Sequence, residues 1–173
     1  PLTADTQHTP VRYHYDKRHL VPFGEFIPEG FHWFMTLMSI PLGDQARGPA
    51  QQPLLPIRSQ RIGFNICYED IFGEELLSQV KGTRNAKGTY TGGATILANL
   101  TNLGWFGNSH ALPQHLQIAR MRALETARPI IRATNTGMTA VISAHGIVQI
   151  RLRPHETGAL KASLQGHTGL TPY

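Results

Sequence analysis

The chain has 173 residues, 40% hydrophobic and 16% charged, enough length and apolar content for one folded domain with a sizeable core. That balance excludes a disordered tail or a collagen-like repeat, and no apolar stretch nears the roughly 20 residues that span a bilayer as a helix. The net charge of +5 with nine His invites a nucleic-acid reading, but the basic residues are scattered. Their densest group, Lys81, Arg84 and Lys87, is broken by Gly and Thr, and no stripe carries interleaved aromatics. No nucleic-acid partner is expected; a basic surface near anionic lipid headgroups fits better. The single cysteine, Cys67, excludes an internal disulfide and leaves the compartment open. The start, Pro-Leu-Thr-Ala-Asp, has neither an initiator Met nor a signal-peptide layout and reads as the beginning of a cut or processed product.

In chain order, the first sixty residues are loop-rich, punctuated by Pro10, Pro22, Pro28, Pro41, Pro49, Pro53 and Pro56. Within them the aromatic stretch 31–38 predicts a short surface helix. Residues 61–66 predict a buried strand that runs straight into Cys67, and 73–80 a short helix. The polar, Gly-rich stretch 81–93 predicts a loop. Residues 94–100 predict a second buried strand, and 101–107 a loop. Asn108 or Ser109 is placed to cap a long helix ending near Ala127, with Leu116, Ala119, Ala123 and Ala127 on one face and Pro129 as its stop. A meander is expected over 130–134, 138–143, 147–152 and 159–164, with turns at 135–137 and 144–146. The order of strand, helix, strand, long helix and hairpins predicts a single α/β layered domain.

Cys67 stands between a buried strand and a helix, where a substrate can reach a side chain and a helix start favours thiolate over thiol. A lone Cys more often packs as a small hydrophobe. Glu69 and Asp70, however, are acids at a strand end whose packing needs none. A thiol nucleophile requires a base and a means of holding an oxyanion. The surroundings of papain-type enzymes are absent. The stretch Tyr15-Asp-Lys-Arg-His-Leu-Val-Pro-Phe-Gly-Glu25 supplies Lys17 and Glu25 on a proline-braced loop. By itself such a pair reads as solvated surface charge. No metal is expected: His110 and His115 stand five apart without an acidic partner pattern.

Taken with Cys67-Tyr-Glu69, Trp105-Phe-Gly107, Gln117-Ile-Ala-Arg-Met-Arg-Ala-Leu-Glu-Thr-Ala-Arg-Pro129 and Leu170-Thr-Pro-Tyr173, that stretch resembles the nitrilase superfamily of carbon–nitrogen hydrolases. Within it, the chain is most similar to the bacterial apolipoprotein N-acyltransferase family, from about Tyr13 to the last residue. The resemblance implies a nitrilase-type four-layer α-β-β-α sandwich with its N-terminal strands missing. It implies a Glu-Lys-Cys triad with Cys67 as nucleophile and Lys17 as its lysine, and Glu25 and Glu69 as further acids around the nucleophile. The family's triad Glu lies upstream of the Lys segment, so this chain is expected to lack it, to lack the flanking membrane helices, and to be inactive alone. Leu103 stands where many relatives carry Asp.

The resemblance further implies an enzyme of lipoprotein maturation in the bacterial inner membrane, with its catalytic domain on the periplasmic face. A phospholipid would donate an acyl chain to Cys67, and the thioester would acylate the α-amine of a lipoprotein's diacylglyceryl-cysteine, without any cofactor. The backbone N–H of Tyr68 is a candidate oxyanion donor. Asn102, Trp105 and Phe106 are candidate substrate-binding residues, the aromatics suiting a lipid–water boundary, as do those of the 31–38 stretch. Arg120, Arg122 and Arg128 are expected to include structural ion-pair partners. Two rival readings remain: a nitrilase-like amidase that uses water as acceptor, and a non-catalytic scaffold.

Overall fold

The computed structural model describes residues 13–22, 24–27, 29, 45–84, 87, 88 and 90–172; the expected helix at 31–38 and Tyr173 lie outside them. The described residues fall into two compact units, His14–Gln52 and a larger one comprising Tyr13 and Pro53–Tyr173.

The larger unit is built on β1 (Leu55–Ile57), β2 (Gln60–Ile66), β5 (Ile96–Thr101), β6 (Ile130–Thr134), β7 (Ala140–Ile142) and β8 (Val148–Arg151), hydrogen-bonded side by side in that order. β2, β5 and β6 are mutually parallel, and the rest pair antiparallel. Parallel neighbours need long crossovers. Helix α1 (Gly73–Lys81) lies in the first and helix α2 (Ala111–Thr126) in the second. Three of the four residues expected as a stripe on α2 form it: Leu116, Ala119 and Ala123 are buried with Val80, Leu97, Ile130 and Ile142 in one cluster, whereas Ala127 lies just past the helix end and is half-buried. The two alanines let the helix lie close to the sheet. Ser109 Oγ accepts from the Ala111 N–H at 3.3 Å at the start of α2. The helix ends three residues before Pro129, as Ala127 turns left-handed at φ 49°. The register puts Gly63, Leu97 and Ile130 on this helix-covered side. Ile62, Phe64, Ile66, Ala98, Leu100 and Ile131 alternate onto the other, where the Tyr13 ring lies 5.4 Å from that of Phe64. A six-stranded sheet with one helix layer is thus the main part of the layered α/β fold that the described residues supply.

Four departures from the sequence reading have local causes. β1 forms despite Pro53 and Pro56, because an edge strand tolerates a missing N–H. The stretch 81–93 is not all loop: β3 (Thr83–Arg84) and β4 (Tyr90–Thr91) pair antiparallel, and the Tyr90 hydroxyl donates to the Lys81 carbonyl. There the strand preference of Thr83, Tyr90 and Thr91 outweighs the intervening polar residues. The loop after β5 contains a 3₁₀ turn, Gly104–Phe106. Residues 159–164 form no strand: Leu160 and Leu164 are half-buried among exposed neighbours, but the segment has no ladder partner among the described residues. No helix among the described residues is long and apolar enough to cross a membrane.

Two arginines expected as ion-pair partners behave differently. Arg122 pairs with Glu125 at 2.6 Å. Arg128 is 2% exposed and, among the described residues, donates only to carbonyls, Nε to Ala94 at 2.7 Å, Nη1 to Thr126 at 3.0 Å and Ala127 at 3.2 Å, and Nη2 to Gly169 at 2.7 Å. It satisfies the open carbonyl end of α2 and ties that end to the start of β5 and to the C-terminal segment.

The core also holds charge. Asp70, His115 and Arg132 are all buried, with Asp70 Oδ2 3.4 Å from His115 Nδ1 and 3.5 Å from Arg132 Nη1. Burial pushes the Asp70 carboxyl up to about 7, against the pull of Arg132. Burial, with Arg132 adding to it, pushes the His115 imidazole down to about 4.

Two outcomes follow. Arg128→Met leaves buried carbonyls without donors, so urea unfolding of the chain should show a loss of roughly 3 kcal/mol; a loss below about 1 kcal/mol would contradict the tie. The titrations of Asp70 and His115 oppose each other. Folded Asp70 binds its proton more tightly than the unfolded chain, so its contribution to stability falls as pH rises from 3.8 to about 7. Folded His115 binds its proton less tightly, so its contribution rises between about 4 and 6.5. Relative to the parent, Asp70→Asn should therefore gain stability with rising pH across that window and His115→Gln should lose it. Urea midpoints that keep a constant offset from the parent at every pH would refute the assignment.

Candidate active site

β2 ends at Ile66, and Cys67 opens a 3₁₀ turn, Cys67–Ile71, at the C-terminal end of the parallel strands. Cleft-forming residues of parallel sheets gather at that end. Cys67 is half-buried and has φ +59°, a left-handed conformation that a residue with a side chain adopts at a cost of about 1–2 kcal/mol. Contacts on either side of the residue hold it there. The Glu69 carboxylate turns back to accept from the Ile66 N–H at 2.6 Å, and the Glu69 carbonyl accepts from the Phe72 N–H at 3.1 Å. The Asn99 side chain donates to the carbonyl of Cys67 itself at 3.0 Å. The Tyr68 ring meets that of Phe72 edge-on at 5.6 Å. Glu69, 2% exposed, thus shapes the turn that presents the thiol.

Beneath the turn runs a row that the sequence reading did not single out. Asn65 on β2, Asn99 on β5 and Arg132 on β6 are register neighbours on the helix-covered face. Asn99 Nδ2 donates to Asn65 Oδ1 at 2.5 Å, and Arg132 Nη1 donates to Asn99 Oδ1 at 3.2 Å and to the His115 carbonyl at 3.3 Å. Burial draws Arg132 down to about 10, with the charges of Asp70 and Cys67 acting in the opposite sense. The sequence did hold a signal: an amide or a guanidinium within the apolar part of each of three strands, where buried polar groups require partners.

The remaining predicted residues lie in two places. Asn102 Oδ1 accepts from the Gly104 N–H at 3.0 Å and from Asn135 Nδ2 at 2.6 Å, which braces the loop after β5 against the loop after β6. Leu103 is fully buried beside it. Trp105 and Phe106, 80% and 51% exposed, are not packed in the core. In the smaller unit, Lys17 and Glu25 do meet. Lys17 Nζ donates to both Glu25 carboxylate oxygens at 2.7 Å, and Glu25 Oε2 also accepts from the Val21 N–H at 2.9 Å. The Lys17 side chain is only 9% exposed, so this is a sequestered ammonium. The Val21 carbonyl accepts from the N–H groups of Gly24 and Glu25, and the Lys17 carbonyl accepts from Gly48. A Cβ at Gly48 would stand 2.2 Å from the Asp16 carbonyl oxygen, so this approach requires glycine. Among the described residues, no three His, Cys, Asp or Glu side chains converge as a metal site.

A reachable thiol on a strained turn at the end of parallel strands suits nucleophilic chemistry. The family model for carbon-nitrogen hydrolase matches residues 4–173. Among curated proteins, the chain is 56% identical over 161 residues to the apolipoprotein N-acyltransferase of Ralstonia nicotianae, covering 93% of this chain and 29% of that protein. It is 56% identical over 159 residues to the one from Bordetella bronchiseptica, covering 92% and 28%. It therefore spans less than a third of the length of these relatives. Among solved structures, a CN-hydrolase superfamily protein of Xanthomonas campestris aligns over 83% of this chain and 49% of its own, with a TM-score of 0.56 at 20% identity. The NitFhit protein of C. elegans aligns over 83% and 32%, with a TM-score of 0.54 at 22% identity. At those identities the likeness concerns the fold alone. The sequence match over nearly the whole chain and the shared α/β architecture agree: the chain belongs to the carbon–nitrogen hydrolase family, the nitrilase superfamily.

Proposed function

We propose that this chain carries the acyl-transfer site of an apolipoprotein N-acyltransferase. The observation that carries the reading is the 56% identity to proteins of that name across 93% of the chain, a span that includes the half-exposed, left-handed Cys67. In this reading the Cys67 thiolate attacks the ester carbonyl of a phospholipid, the tetrahedral intermediate collapses, and the lysophospholipid alkoxide leaves with a proton. The α-amine of a diacylglyceryl-cysteine then attacks the thioester and loses a proton, and the thiolate departs. This two-step covalent scheme replaces one difficult transfer with two easier ones.

Lys17 is assigned the electrostatic role: its compact ammonium favours the thiolate and the oxyanion. Glu25 fixes that ammonium through both carboxylate oxygens, so it is not assigned the role of general base. The family's base is a Glu that none of the chain's motif positions matches. This reading takes it from elsewhere in the full-length protein and expects the chain alone to be idle. The Tyr68 N–H is assigned as an oxyanion donor. Trp105 and Phe106, exposed and apolar, are assigned to the acyl chain at the lipid boundary. Asn102 acts on substrate indirectly, by holding their loop. The setting is the bacterial inner membrane, with the site on its periplasmic face and the membrane contact made by other parts of the protein.

Incubation of the full-length protein with phospholipid should leave an acyl mass on Cys67 that hydroxylamine removes and that Cys67→Ala abolishes. In the same assay Lys17→Arg should form the adduct at least about 100-fold more slowly, because a planar fork cannot replace a compact ammonium. The absence of an adduct in the parent, or its persistence in Cys67→Ala, would overturn the proposal.

A further inference from the structure

The buried row beneath Cys67 is wired for more than packing. Arg132 has no exposed side-chain surface, yet its nearest carboxylate, Asp70, lies 3.5 Å away, and its Nε and Nη2 have no hydrogen-bond partner among the described residues. A charge buried this way adds little stability and is commonly matched by an apolar side chain of similar size. What Arg132 does achieve is orientation. A guanidinium offers only donors, so the amide of Asn99 must turn Oδ1 toward it. Both Nδ2 protons then point the other way, one to Asn65 Oδ1 and one to the carbonyl of Cys67. The same guanidinium nitrogen also faces Asp70, three residues after Cys67 on the same 3₁₀ turn. One buried group thus lies against the turn at Asp70 and reaches Cys67 through Asn99.

We infer that Arg132 is a positioning residue for Cys67: acting through Asn99, it holds the Cys67 carbonyl and thereby keeps the residue left-handed and its sulfur in a fixed place. Without the Asn99 donor, the Cys67 carbonyl loses its hydrogen bond from that side chain, one of the contacts that hold the strained φ, and the residue shifts toward an ordinary conformation, which swings the Cα–Cβ bond and displaces Sγ. A displacement of about 1 Å at a reacting atom can lower a rate about 100-fold. The inference concerns the aim of the thiol and rests on the acyl-transfer reading only for its catalytic consequence.

The test uses the full-length protein with two readouts, thioester formation from phospholipid and the second-order rate of Cys67 alkylation by iodoacetamide, each normalised to folded protein by circular dichroism. Asn99→Asp keeps an oxygen for Arg132 but removes the donor to Cys67, so it separates aim from packing. It should slow thioester formation about 30- to 100-fold with KM for phospholipid changed less than about twofold, and shift the alkylation rate at least about fivefold. The double variant Asn99→Leu with Arg132→Met should be no worse than the poorer single within about twofold, because both break one chain of contacts. A purely structural role would lower the melting temperature while leaving both rates per folded molecule within about twofold of the parent for Asn99→Asp, and that result would overturn the inference. So would a double variant whose losses multiply. If Arg132→Met fails to fold, Asn99→Asp alone decides. If the parent forms no thioester, the acyl-transfer reading fails and the alkylation arm still decides whether the row aims the thiol.

Discussion

The parallel pairing of β2, β5 and β6 is the constraint from which the rest follows. Its register sets Asn65, Asn99 and Arg132 side by side across three strands. A slip of one residue in any strand would turn its polar member to the opposite face. The same pairing ends β2 at Ile66 and hands the chain to a left-handed Cys67 over the polar row. The helices enforce the register from the covered side: a cluster of Leu, Ile and Ala side chains fits only if the strands alternate as they do. Position and chemistry are therefore one problem here, because the residues that hold the proposed nucleophile are members of the ladder that stops beneath it.

The distribution of charge supports that view. Most ionisable side chains lie where water reaches them, but Asp70, His115 and Arg132 are buried together between α2 and the sheet. Burying three such groups opposes folding unless each is compensated. Lys17 and Glu25 show a different use of an ion pair: a short bidentate contact in a loop pinned by backbone hydrogen bonds, which presents a single ammonium in a fixed place. One arrangement orients a carbonyl, and the other holds a cation still.

Much of this was legible in the sequence, and the reasons differ from element to element. The strand before Cys67, the long helix with its Leu116–Ala119–Ala123 stripe and the Asn135 and Ala144 turns are strong periodic or punctuation signals, and each is present within a residue or two. β1 was hidden by Pro56, which argues against a strand except at an edge, and edge position is a tertiary property. Residues 159–164 alternate correctly, but pairing requires a neighbour that composition cannot supply. Asn99 and Arg132 escaped because a polar residue within an apolar run looks like noise until the register aligns it with others. The Lys17–Glu25 contact was readable only through the family motif, since a pair eight residues apart in a loop has no periodic reason to meet.

These features fit the proposed role of Cys67 as a held acyl carrier rather than a buried hydrophobe. A pulse–chase on the full-length protein tests that claim most directly. Acyl-enzyme is prepared with labelled phospholipid, freed of donor, and mixed with a diacylglyceryl-cysteine peptide while the mass on Cys67 and the label on the peptide are followed together. The label should leave Cys67 and appear on the peptide's α-amine with one shared rate constant, at least as fast as steady-state turnover. If the peptide is acylated while the adduct on Cys67 persists, or the adduct decays more slowly than turnover, Cys67 is not the carrier.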